Sequence, residues 1–295
     1  MPDKLLFIIN GGLGDLLSEY FNTREWRILK ELKTRSPSIR TKLILCNHNS
    51  SSIDFLKYYP YFDEIEPRHG THLHLVKENN VGHYIAAQCP DWTFIGEAYY
   101  MWKDIEPKQP EVYLGEEDTA LIDEVKAAGK YIVLHPFAGT PGRICLTTEE
   151  YKLLADKIVD ELKCNVVVMG ATHSRIIEEA TVGITENLIF KEHFDSHRPE
   201  IISLVNKASC RAAVKLSMDA SGYIGNYTGL IIAPWVAEIR TVAYIAETHR
   251  TMSEISYSLS WPTSRKWAYN KSFFPEVQDH TEVIDQTIKF LSEEV

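Results

Sequence analysis

Along the chain, short unbroken apolar runs alternate with longer stretches whose apolar residues recur every three or four positions. The runs fit strands buried on both faces and the periodic stretches fit amphipathic helices, so their alternation predicts a doubly wound α/β architecture. In the N-terminal half LLFIIN reads as a strand, and a helix is expected from Asp15 to about Thr34. TKLILCN, SIDFLKYY and FDEIEP follow as strand, short helix and strand. The region from Arg68 to Gln109, rich in His, Tyr and Trp, fits neither template and is expected to hold further short elements.

Pro107, Pro110 and Gly115 interrupt the pattern, and the helix EEDTALIDEVKAAG then ends on Gly129 as a C-cap. KYIVLHP opens a second α/β series. The TTEE at 147–150 is a capping box, and the helix it starts carries Tyr151, Leu154, Ala155, Ile158 and Leu162 on one face. CNVVVMG is the next strand. ASGYIGNYTG reads as a strand running into a glycine turn, LIIAPWVAEI as a helix and RTVAYIA as a strand. The terminal DHTEVIDQTIKFLSEEV has a D-x-x-E capping box and an apolar stripe of Val283, Ile284, Ile288 and Leu291. The expected organisation is a domain over 1–129, a second over 130–275, and a helix over 276–295 packing back on the first.

Composition agrees with two globular domains: 295 residues, 44% hydrophobic and 24% charged. No apolar run approaches the roughly 20 residues of a membrane span, and the MPDK start does not resemble a signal peptide, so a cytoplasmic location is expected. Cys46, Cys89, Cys145, Cys164 and Cys210 are scattered singly, as neither a zinc site nor a disulfide framework would have them. A formal charge of -10 argues against strong nonspecific nucleic-acid binding, while leaving room for a local basic groove.

Candidate chemistry begins at NGGLGDLL, where Asp15 follows a glycine turn at the C-terminal edge of the first strand, the edge at which open α/β sheets bind ligands. Asp15 can cap the helix that starts there or act as a base. The turn is an incomplete dinucleotide fingerprint: Gly12 and Gly14 are present, Leu17 replaces the third glycine, and no acidic residue ends LILCN. HPFAGTPGR is either a simple turn or a phosphate site in which Gly139 and Thr140 donate and Arg143 binds bidentately. Basic residues cluster as Arg24, Arg27 and Lys30, and Lys207, Arg211 and Lys215 repeat at helical spacing. WPTSRKWAYNKSFF interleaves Trp261, Trp267, Tyr269 and Phe273 with Arg265, Lys266 and Lys271. These sets are either solvated faces and packing, or an acceptor surface for an anionic substrate.

Four stretches, GGLGDLL, YPYFDEI, VLHPFAG…TTEEYKLLADKI…NVVVMG and YIGNYTG, occur in an order that resembles the heptosyltransferase family of bacterial lipopolysaccharide assembly, over most of the chain. The resemblance implies a GT-B fold, with two Rossmann-like doubly wound domains facing a central cleft. It also implies an inverting transfer of a sugar from a nucleotide-diphosphate donor to a hydroxyl of a bacterial surface glycan or lipid-linked oligosaccharide. Asp15 would be the base, and Arg143 would sit near the donor phosphates. Gly12, Gly14, Gly139, Thr140 and the turn Asn226, Tyr227, Thr228 and Gly229 would contact the donor, with Glu192 near its ribose. Arg24, Arg27, Trp261, Arg265, Lys266 and Trp267 would face the acceptor. Two positions depart from the family: Tyr227 stands for an Asp and Ile232 for a His. With no D-x-D in the sequence, a metal-independent reaction without a cofactor is expected. Two alternatives remain open: a phage-type enzyme glycosylating a modified base in DNA, and a noncatalytic nucleotide-sugar-binding protein.

Overall fold

The computed structural model describes residues 2–10, 12–46, 50–68, 81–137, 146–170, 198–244, 272–273 and 280–293. The chain divides into two compact units, Met1–Tyr113 and Leu114–Val295. The expected boundary after residue 129 thus moves upstream, because the helix Glu116–Ala127 belongs with the second unit.

In the first unit a parallel sheet has the order β3-β2-β1-β4, with β1 Lys4–Asn10, β2 Arg40–Cys46, β3 Glu64–Arg68 and β4 Thr93–Phe94. The helix expected from Asp15 to Thr34 is two helices, α1 Leu13–Asn22 and α2 Arg24–Arg35. Thr23 breaks them in an extended conformation (ψ 147°), donating its N–H and hydroxyl to the Glu19 carbonyl while starting the next helix. Phe7, Tyr20, Trp26, Phe55, Tyr59 and Phe62 interlock edge to face under these helices. Ile85 and Cys89 pack on Leu6, Ile44 and Cys46, so both faces of the sheet are covered. Further α-helices among the described residues of this unit are α3 Ser50–Leu56, α4 Val81–Ala86 and α5 Ile95–Ala98.

The second unit begins with α6 Glu116–Ala127 and has a six-stranded parallel sheet of order β10-β9-β8-β5-β6-β7. Its strands are β5 Tyr131–His135, β6 Asn165–Val168, β7 Ile201–Ser203, β8 Gly222–Asn226, β9 Thr241–Tyr244 and β10 Ser272–Phe273. One face packs on α7 Thr148–Lys157, whose expected capping box is formed by Thr147 and Glu150. On the other side α6 pairs with α8 Cys210–Asp219. The helix expected at LIIAPWVAEI is shorter, a 3-10 turn Gly229–Ile231 leading into α9 Ile232–Val236.

The terminal helix α10 His280–Ser292 corrects an expectation. Its stripe joins the core of the second unit: Val283, Ile284, Ile288 and Leu291 are buried with Ile132, Ile224 and Tyr151. Lys157 pairs with Asp285 at 2.7 Å, and a Cβ on Gly222 would lie 3.1 Å from Leu291. Asp279, the expected cap, lies outside the described residues.

Asp118 explains the shifted domain boundary. Its carboxylate accepts from the Gly115 N–H at 2.9 Å, from Ser209 at 2.5 Å and from the Arg211 Nε at 2.8 Å. Burial raises its pKa, but these donors outweigh burial and hold it below the ordinary value. Asp118→Ala, which removes a buried carboxylate from the Arg211 cation and leaves Glu117 at 3.8 Å, is expected to cost about 3–5 kcal/mol in urea unfolding. Leu291→Ala is expected to cost about 2–5 kcal/mol in the unfolding of the same unit. An unchanged transition would show that α10 does not belong to that core.

Candidate active-site turns

In the first unit β1 lies beside β2 along its whole length, but β4 pairs only with Leu5 and Leu6. Among the described residues, Phe7–Asn10 therefore has no strand on that side, next to the point where the strand order reverses. The glycine turn leaves β1 at this edge. Gly12 is the N-cap of α1, and its N–H donates to Asp15 Oδ2 at 2.9 Å. The capping role open to Asp15 is thus realised. It occupies one carboxylate oxygen and leaves the side chain exposed, so it is compatible with a second role.

Asp118 shows the contrast: its cap from Gly115 has the same local geometry, but it is buried with Arg211 and Ser209. The surroundings of Asp15 desolvate it and raise its pKa, against the opposing Gly12 N–H. One turn on, Glu19 is pushed up to about 7 by burial, with the charges of Glu25 and Asp15 adding to the effect. Glu19 was missed at the sequence level, although its i+4 spacing from Asp15 puts both carboxylates on one side of α1.

The basic residues of α2 do not form an open patch. Arg24, expected to face an acceptor, is committed elsewhere: its Nη2 donates to the carbonyls of Trp102 at 2.9 Å, Lys103 at 3.2 Å and Ile105 at 2.6 Å. It holds the end of the 3-10 turn Tyr99–Trp102 against α2. Lys30 pairs with Glu111 at 2.5 Å. Arg27 is half-buried, with its Nε enclosed and lacking a hydrogen-bond partner among the described residues. The set at 207, 211 and 215 likewise fails as a basic face. Arg211 is the buried partner of Asp118, Lys215 pairs with Asp219, and Lys207 donates to the Ser203 carbonyl. Four-residue spacing put Arg211 and Lys215 on one helix, but Lys207 lies before its start, and the spacing could not show the acidic partners on α6 and within α8.

In the second unit the strand order reverses between β5 and β8, whose ends lie side by side with His135 opposite Gly225. HPF leaves from β5 and YTG from β8, so two of the expected donor motifs start at one point of the sheet edge. Asn226, expected to contact a donor, has its side chain held inside the unit. It is fully buried, accepting from Tyr151 Oη at 2.9 Å and donating to the Pro136 carbonyl at 2.5 Å, and so ties the two turns together. Tyr227 spends its N–H on the Tyr244 carbonyl and lays its ring 6.2 Å from that of Trp235. Thr228 and Gly229 are partly exposed. Thr228 Oγ1 lies 3.5 Å from His135 Nδ1, and burial pushes the His135 pKa down to about 4, so the ring is neutral at pH 7. Gly139, Thr140, Arg143, Glu192, Trp261, Arg265, Lys266 and Trp267 lie outside the described residues.

No protein-family model matches the chain, and a search of curated proteins gives no match. Solved structures do match. E. coli ADP-heptose lps heptosyltransferase II aligns over 99% of each chain at 14% identity and a TM-score of 0.55. The glycosyl transferase family 9 structure from Veillonella parvula aligns over 99% of this chain and 97% of that one, at 13% identity and a TM-score of 0.55. E. coli heptosyltransferase WaaC with ADP-2-deoxy-2-fluoro heptose aligns over 99% and 100%, at 9% identity and a TM-score of 0.51. At such low identity the similarity concerns architecture, and the chain has the GT-B-like α/β fold of these heptosyltransferase structures.

Proposed function

We propose that the chain is an inverting, metal-independent glycosyltransferase that moves a sugar from a nucleotide-diphosphate donor to a hydroxyl of a bacterial glycan or lipid-linked oligosaccharide. The observation that carries this reading is the placement of the two turns. One sheet edge presents an exposed carboxylate, Asp15, and the other presents the paired β5 and β8 turns with Thr228 and Gly229 accessible. The fold is shared with a heptosyltransferase solved with an ADP-sugar, which supports a donor of that class.

In this reading the acceptor oxygen attacks the anomeric carbon as the bond from that carbon to the diphosphate oxygen breaks. Asp15 takes the acceptor proton, and the diphosphate departs with the electron pair of the broken bond. The pKa of Asp15, raised by desolvation, makes it a better base than an ordinary carboxylate. Arg143, the Thr228 hydroxyl and the backbone N–H groups at Gly229 would receive the departing charge. The absence of a D-x-D in the sequence supports the metal-independent form.

Asp15→Asn is expected to lower sugar transfer by about 10²–10⁴-fold while leaving donor binding intact. Unchanged turnover would remove Asp15 as the base, and a noncatalytic protein would show no transfer even before mutation. Chelation of divalent ions by EDTA is expected to leave the rate unchanged. The rate should fall on acidification as Asp15 takes up a proton, at a pH above that of an ordinary carboxylate, the direction set by its raised pKa.

Glu19 gives a separate test. Its folded-state pKa of about 7 exceeds the unfolded value of 4.5, so its contribution to stability is fully present below pH 4.5 and lost as pH rises through 7. Glu19→Gln is therefore expected to be more stable than the native chain at pH 8, by roughly 1–2 kcal/mol after allowance for solvent screening. In denaturant titrations the gap should close by pH 4; a gap independent of pH would mean that Glu19 is not the titrating group.

A further inference from the structure

Tyr223 is wholly buried, yet its phenolic oxygen makes no well-formed hydrogen bond among the described residues, although it interacts with the Thr228 hydroxyl. Buried polar atoms are seldom left in this condition, because it forfeits hydration without replacing it. The location of the hydroxyl follows from the strand. Tyr223, Gly225 and, across the ladder, Val133 and His135 point to one face of the sheet.

Gly225 has no side chain, so the Tyr223 ring lies along β8 toward the C-terminal edge. A Cβ on Gly225 would sit 3.1 Å from the phenolic oxygen and 2.8 Å from the His135 carbonyl. The ring thereby comes to 6.5 Å from that of His135, the residue that Thr228 also approaches, and its hydroxyl interacts with that of Thr228. Thr228 Oγ1 in turn lies 3.5 Å from His135 Nδ1, a long contact for a hydroxyl and a ring nitrogen. Three polar groups therefore converge at the exposed turn without satisfying one another well.

We propose that Tyr223 is a positioning residue for donor binding: its O–H donates to Thr228 Oγ1, which commits the Thr228 hydroxyl proton to a phosphate oxygen of a nucleoside diphosphate. This inference rests on the reading of the second unit as the donor side. The Thr228 proton turns from His135 Nδ1 to the phosphate, and the Tyr223 proton fills the lone pair of Thr228 that then faces it. No proton changes owner, so the step is a reorientation of two hydroxyls. His135, neutral at pH 7, adds no charge of its own to the anion and serves as the acceptor when the phosphate leaves.

Calorimetric titration of the full chain with ADP, UDP and GDP, together with urea unfolding of the ligand-free protein, tests this. Tyr223→Phe is expected to weaken binding of the best nucleotide roughly three- to tenfold, the range for one hydrogen bond, while its ligand-free urea midpoint stays at or above that of the native chain. Thr228→Ala should weaken binding at least as much, Thr228→Ser should restore it, and adding Tyr223→Phe to Thr228→Ala should cost nothing more. Native affinity in Tyr223→Phe, or fully additive losses in the double variant, would overturn the inference alone. A lowered urea midpoint in Tyr223→Phe would overturn it as well, by showing a structural hydrogen bond. If the native chain bound none of the three nucleotides, the donor-side reading and this inference would fall together.

Discussion

Every strand pair among the described residues is parallel, and this one constraint decides where chemistry can sit. In a parallel sheet every strand ends on the same edge, so all the strand-to-helix turns of a unit gather there, and a crevice opens where the strand order reverses. Asp15 and the turn at Thr228 each occupy such a place in their own unit.

The frame that holds these turns uses polar groups that the sequence displays as candidate ligands. Asn226 ties the two turns of the second unit through Tyr151 and the Pro136 carbonyl, and Arg211 fastens α8 to α6 through Asp118. Arg24 performs the same service in the first unit with three carbonyls. A polar side chain near such a turn can thus serve to fasten it rather than to meet a ligand. Burial and the completeness of its partners tell the two apart. Thr228 is accessible and loosely partnered, whereas Asn226 is neither.

Much of the fold was legible because it rests on local patterns. Apolar runs such as KYIVLHP and CNVVVMG became central strands, and the TTEE box opened its helix as expected. What escaped depends on partners distant in sequence. The break at Thr23 lies inside a continuous helical periodicity, and the place of α10 is set by which core accepts its stripe, a fact absent from the stripe itself. The charge pattern of Arg211 looked like a surface face because Asp118 is 93 residues away. In the site, the GGLGD turn could be read as both a cap and a candidate base. Glu19 and Tyr223 could not be singled out, since their character comes from burial; the glycine inside β8 was the one local sign that something approaches the strand closely.

The central claim is that the second unit holds the nucleotide at the junction of β5 and β8. Amide NMR of the isotopically labelled protein, titrated with the nucleoside diphosphate that binds best, addresses it most directly. The account predicts that the largest shift changes cluster at His135, Thr228 and Gly229, with the amides around Gly12 and Asp15 little moved by the nucleotide alone. Changes centred on the Gly12–Asp15 turn, or the absence of changes at the β5 and β8 ends, would contradict it.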